Sequence, residues 1–210
     1  MRVVKEAEER RNEILDVAEE LFAAKGYDNA STNDILERIG IARGTLYYHF
    51  KSKEEILDAI IARMTDRLLA RALEASQQKD RSVIERIVLA VQALNVDSKL
   101  GVEVVRQAHK PQNALMHQKM QERLLAGINP IITLLIEEGI EQGLFSTDYP
   151  AEAVEMFMLY SNVTFDGDKE QSPQQMQQKV MGFVYNLERL VGAKQGTLSD
   201  AISSLIVGSR

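Results

Sequence analysis

The sequence predicts an all-α protein, and three observations carry that expectation. Leu, Ile, Ala, Glu, Gln, Lys and Arg dominate the 210 residues, and these side chains lose least on entering a helix. Apolar residues recur at three- and four-residue spacing, with no alternating β-branched runs. Punctuation is sparse: four prolines and 12 glycines stand mostly where helices of ordinary length would start or stop. About nine or ten helices follow.

The first predicted helix covers 6–25, where Ile14, Leu15, Ala18, Leu21 and Phe22 fall on one face. Gly26 then offers the positive φ that a helix C-terminus favours. Ser31-Thr32 opens a short second helix over 32–39, with Asp34 at the positive end of its dipole, and Gly40 ends it. A third short helix spans 43–49. Ser52-Lys53-Glu54-Glu55 reads as a capping box that starts a long helix to about residue 78. Further patterns cover 82–95, 102–109 and 113–143, with a kink or break expected just before Pro130. Pro150 and Pro173 suit the first turns of helices over 150–165 and 173–191. Residues 166–172 read as a loop, and Leu198 to Ile206 as a final short helix.

Composition removes several classes of function. A chain that is 45% hydrophobic and 27% charged can bury a core, which a disordered chain cannot. The longest nearly apolar run, 131–136, falls far short of the about 20 residues that span a bilayer. No cysteine is present, so disulfides, thiolate metal sites and cysteine nucleophiles drop out together. Three histidines (His49, His109 and His117) show neither Glu-x-x-His nor His-x-x-x-His spacing, so no metal or cofactor is expected. No catalytic residue can be assigned. The first 11 residues mix charges of both signs rather than opening a signal segment, which places the expected location in the cytoplasm with no membrane partner.

A net charge of −6 argues superficially against nucleic acid. Between residues 38 and 53, however, Arg38, Arg43, Lys51 and Lys53 stand without one acid, behind an acid-rich first helix. A ligand feels that local field rather than the sum. Such a patch alone is compatible with an ordinary solvated helix face. The second and third helices, joined by a short turn at Gly40, form a helix-turn-helix. Ile35, Leu36, Ile39, Ile41, Leu46 and Phe50 are spaced to fasten it, leaving Arg43, Gly44, Thr45, Tyr47, Tyr48 and His49 outward. Arg43 can fork onto guanine O6 and N7, and Thr45 can meet a thymine methyl. Gly44 lets backbone come close to bases. Tyr47, His49, Lys51 and Lys53 can donate to phosphate oxygens, as can the amides at Thr32. Lys53 sits unfavourably at a helix N-terminus, which a phosphate partner would relieve. Tyr47 and Tyr48 could instead pack.

The run Ala30-Ser31-Thr32-Asn33-Asp34-Ile35, followed by the stretch from Gly40 to Leu57 with its core Arg43-Gly44-Thr45-Leu46-Tyr47-Tyr48-His49-Phe50, closely resembles the N-terminal domain of tetracycline-repressor (TetR) family regulators. The resemblance covers residues 10–57 and implies a homodimer on a palindromic double-stranded DNA operator, released by a small molecule. It implies that Arg43, Gly44, Thr45 and Tyr48 face bases with Asn33 near a base edge, while Thr32, Tyr47, His49 and Lys53 hold phosphates. The pattern often has Ser where this chain has Ala42. A division follows: 1–53 as the DNA-binding domain and 54–210 for effector binding and dimerisation.

In the second part, Val154, Met158, Met176, Val180, Phe183, Val184, Leu187 and Val191 form stripes that read as core or, by the resemblance, as the pairing face of two copies. Met64, Met116, Met120, Phe157 and Tyr160 offer an adaptable lining for a largely apolar effector, with His109 and His117 nearby. Each also has a plain reading, the apolar ones as core and the histidines as capping or surface groups. Two other classes compete with a DNA-binding regulator. An enzyme on a helical bundle lacks a nucleophile or metal set, and a small-molecule-binding or interaction protein would carry a helix-turn-helix that no longer touches DNA.

Overall fold

A computed structural model describes residues 2–95, 105, 109–110, 113–165 and 172–200. Among them lie eight helices and no strand: α1 (Arg2–Lys25), α2 (Thr32–Ile39), α3 (Arg43–His49), α4 (Lys53–Ser76), α5 (Val83–Gln92), α6 (Ala114–Glu141), α7 (Pro150–Phe165) and α8 (Pro173–Leu190). Residues 197–200 are also helical. Of the expected helix over 102–109 only Val105, which is helical, and His109 are described; the loop over 166–171 and residues 201–206 of the final helix fall outside the described residues. No described helix is long and apolar enough to cross a membrane.

The chain forms two compact units, one of Met1–Arg67 with Val96–Arg123, the other of Leu68–Asn95 with Leu124–Arg210. In the first unit, Ile14, Leu15, Ala18 and Phe22 of α1 are buried together with Ile35, Leu46, Phe50, Ile56 and Leu57. Each fully buried Leu, Ile or Phe contributes about 1.5–3 kcal/mol, so the helix-turn-helix is held by the apolar face its spacing foretold. Ion pairs brace the flanks: Arg63 reaches Asp16 at 2.6 Å and Glu19 at 2.5 Å, and Lys119 reaches Asp58 at 2.6 Å and Glu54 at 3.0 Å.

In the second unit, Ile87, Ile128, Ile132, Leu135, Phe145 and Val154 belong to one buried cluster. Arg86 is buried at its edge, donating from Nε to the Ser76 carbonyl at 2.7 Å and through both Nη atoms to Glu138 at 2.7 and 3.0 Å. Hydrogen bonds from Arg86, then Lys79, hold the Glu138 carboxyl down at about 2.

Two local expectations are narrowed by the structure. The helix containing Pro130 is unbroken, running from Ala114 to Glu141. Pro130 and Ala126, whose carbonyl loses its partner, both face outward, where water can serve that carbonyl. The capping box of α4 is half made: Glu55 N donates to Ser52 Oγ at 3.1 Å, but the Glu55 carboxylate accepts from Lys51 N at 2.5 Å rather than from Ser52 N. The return bond is displaced one residue towards α3.

Candidate nucleic-acid interface

The surface around α3 is built from its turns upward. Ser31 caps α2 in a full capping box with Asp34, whose carboxylate also accepts from Lys25 Nζ at 2.7 Å. Hydrogen bonds from Lys25 and Ser31 hold the Asp34 carboxyl far below the usual carboxylate range. Gly26 (φ +83°) and Gly40 (φ +75°) supply the left-handed residues that turn the chain out of α1 and α2. The Gly40 N–H donates to the Leu36 carbonyl at 2.9 Å, and α3 begins three residues later. Ala42, at the N-cap, gives α3 no side-chain cap.

With Ile35, Leu46 and Phe50 turned inward, the other side of the motif is solvent-facing. Asn33, Arg43, Gly44, Tyr47, Tyr48 and Lys51 are exposed, while Thr32, Thr45, His49 and Lys53 are half-buried. Tyr48 is 73% exposed and Tyr47 39%, so α3 presents both aromatics rather than packing them away. Arg43 Nη2 donates to Asn33 Oδ1 at 3.0 Å, linking two residues expected at base edges. A methyl group on Gly44 would meet nothing within 4 Å. Lys51 Nζ donates to the Tyr47 carbonyl at 3.0 Å, placing a cation at the negative end of α3.

Lys53 is placed differently from the sequence expectation. Its ammonium donates to the carbonyls of Tyr27 (2.8 Å), Ala30 (3.1 Å) and Asp28 (3.4 Å) and lies 4.2 Å from the centre of the Tyr27 ring. The cost of a cation at a helix N-terminus is offset within the chain, without a phosphate. Lys53 thereby clamps the loop that delivers α2.

Sequence reasoning missed Arg10 and Arg11. The Arg11 guanidinium lies 4.8 Å over the Phe50 ring, and Arg10 pairs with Glu13. Burial lowers the His49 pKa, with Arg11 and then Arg10 adding to the effect, so both arginines extend the basic surface beside the end of α3. Adjacent basic residues one turn before Ile14 were the available signal, obscured by the acids around them.

The remaining candidates separate. Met64, Met116 and Met120 are buried in the first unit, where the rings of His109 and His117 lie 4.7 Å apart. Phe157 and Tyr160 belong to the second unit. That unit holds a cavity of about 230 Å³ between α5, α6, α7 and α8, and of the seven proposed effector residues only Phe157 lines it. Four of the residues expected at a partner surface, Val154, Phe183, Leu187 and Val191, line it too. Val154, Met158, Val184 and Val191 are between 1% and 5% exposed in a single chain. They are core, with no surface left to bury against a copy. Met176 is exposed, and Val180 and Leu187 are half-buried. The exposed apolar groups of α7 and α8 are their neighbours, including Met156, Leu159, Tyr160, Met181 and Tyr185. Phe183 is half-buried and stacks on Phe157 and Tyr160 at 4.7 and 5.6 Å between ring centres. Among the described residues, no cluster of three or more His, Asp or Glu is placed to hold a metal ion.

A helix-turn-helix on a basic face, joined to a second helical unit, is the architecture of a DNA-binding regulator. The chain matches the family model "Bacterial regulatory proteins, tetR family" over residues 14–60 and "Tetracyclin repressor-like, C-terminal domain" over 96–185. It is 31% identical over 157 residues to the HTH-type transcriptional repressor KstR2 of Rhodococcus jostii (strain RHA1), covering 71% of this chain and 74% of that one. Over 69 residues it is 44% identical to the HTH-type transcriptional regulator UidR of Escherichia coli (strain K12), covering 33% and 35%. Salmonella enterica GusR has a similar fold, with a TM-score of 0.60 at 20% identity over 87% of this chain and 95% of that one. The chain belongs to the TetR family of transcriptional regulators.

Proposed function

We propose that the protein is a transcriptional repressor that binds a palindromic operator as a homodimer and is released by a small, largely apolar effector. The observation that carries this reading is the outward face of α3, where Arg43 is held by Asn33 beside an unobstructed Gly44. Arg43, Gly44, Thr45 and Tyr48 read bases in the major groove with Asn33; Thr32, Tyr47, His49 and Lys51 hold phosphates. Arg10 and Arg11 join the phosphate set, while Lys53 serves first to fix the loop before α2 and sits close enough to the motif to reach a phosphate only by giving up those carbonyls. Residues 1–53 act on DNA and 54–210 carry effector and partner surfaces. The name of the R. jostii relative supports the repressing mode. On this reading the protein works in the cytoplasm without catalysis, metal or cofactor.

Fluorescence anisotropy on labelled duplex from upstream of the gene, at two salt concentrations and against a scrambled duplex, tests it. Specific binding should weaken with a log–log salt slope of about −0.9 per phosphate neutralised. Arg43→Ala should cost about 1–3 kcal/mol on the operator and relax preference at one base pair. Equal losses on operator and scrambled DNA would remove Arg43 from base reading. No preference for any duplex selected from a random pool would favour an interaction protein with an idle helix-turn-helix.

A further inference from the structure

The cavity of the second unit is chemically one-sided. Its lining is apolar except for the solvent-exposed Gln92 on α5, and no Lys, Arg or His contributes to it. A carboxylate or phosphate carried past Gln92 into the apolar part would shed its water and find no cation, which is prohibitive unless the group neutralises. A single side-chain amide offers an NH2 donor and a carbonyl acceptor, enough for a hydroxyl or carbonyl. Size narrows the class further: an apolar cavity of about 150 Å³ holds benzene, so about 230 Å³ leaves room for a second ring. The wall is completed by Leu198, whose N–H donates to the buried Glu188 carboxylate at 2.8 Å alongside those of Gly196 and Ser199. That carboxylate is spent on the backbone and does not line the cavity, so it offers a ligand nothing.

Building on the effector-released reading above, we propose that this cavity is the effector site and that it selects neutral, two-ring-sized apolar molecules carrying one hydrogen-bonding group, rejecting organic anions of the same skeleton. Gln92 orients the polar group, and Leu198, held by Glu188, closes the site.

The probes are 2-naphthol and 2-naphthoate, which share a skeleton and differ in charge at neutral pH. Calorimetric titration of the full-length protein should give one 2-naphthol per chain, bound at least about tenfold more tightly than 2-naphthoate. Filling the cavity from two different helices, with Ala153→Leu on α7 and Val91→Phe on α5, should each lower 2-naphthol affinity by at least about tenfold while helical content is kept. Two fillings guard against one of them failing to fold. Gln92→Leu should weaken 2-naphthol yet leave naphthalene binding intact. Equal binding of the two probes, no binding of either, or binding that survives both fillings overturns the proposal. The release reading is tested separately, by adding 2-naphthol to the operator complex in the anisotropy assay. Binding that obeys the pattern above but leaves DNA bound would overturn release while upholding the selectivity of the cavity.

Discussion

Gly44 stands in the first turn of α3 with an ordinary negative φ and open space where a side chain would project. Glycine inside a helix costs about 0.5–1 kcal/mol relative to alanine, and nothing within the chain requires it there. The close approach of bases proposed above does. Gly44→Ala should therefore raise folding stability by about that amount in denaturant titration while weakening operator binding at least about tenfold; unchanged binding would mean that α3 does not approach the groove at this point. His49 adds a proton-linked test. Burial, then Arg11 and Arg10, pushes its pKa below the ordinary value of 6.5, so the ring is neutral in the free protein at pH 7. A phosphate oxygen favours the charged ring, so its pKa rises on binding and a proton is taken up. Operator affinity should then strengthen as pH falls from about 7.5 to about 5.5, and His49→Gln should flatten that slope. A slope indifferent to the substitution would remove His49 from the phosphate set.

At the scale of elements, helix starts and stops were legible because they are written locally. Ser31 with Asp34, Gly26 and Gly40 each act within four residues of where they stand, and α2 and α3 fall on the expected residues. Arg86 with Glu138 and Lys53 with the carbonyls after α1 were not legible, because each joins groups more than 20 residues apart that only the fold brings together. Glu188 is the sharpest case. On its own helix it looks like one more solvated charge, yet it is 3% exposed and accepts three backbone N–H bonds around the helical turn 197–200. Burial pushes its pKa up; the hydrogen bonds from Gly196, Ser199 and Leu198 outweigh that and bring it below the ordinary 4.5. A depressed carboxylate stabilises the fold above its unfolded pKa and loses that contribution as pH falls through the folded value. Glu188→Gln should cost about 1–3 kcal/mol at neutral pH, and the gap from the parent protein should narrow below about pH 4.5. A gap constant from pH 7 to pH 3 would show that the ionised carboxylate is not what holds the turn.

For the whole molecule, the homodimer proposed above needs a pairing face, and α7 and α8 offer two candidates each. Apolar spacing puts Val154 and Met156 on opposite faces of α7, but core and partner surface are chemically alike, so periodicity alone could not say which face is core. Burial within one chain makes the division: Val154, Met158, Val184 and Val191 are used up in the core, whereas Met156, Tyr160 and Met181 are 61%, 52% and 65% exposed. Two consecutive helices with that much outward apolar surface suit a two-fold four-helix pairing. Because Met181 is exposed in the single chain, Met181→Lys should leave one chain folded and disturb only the pairing. Sedimentation should show a shift from dimer to monomer. Operator affinity should fall by about 10²–10⁴, since two joined heads gain from effective concentration what a lone head cannot, while affinity for an isolated half-site stays the same. If Met181→Lys remains dimeric and binds the full operator normally, the pairing face lies off Met181, and the same test at Met156 and Tyr160 would locate it or exclude these helices.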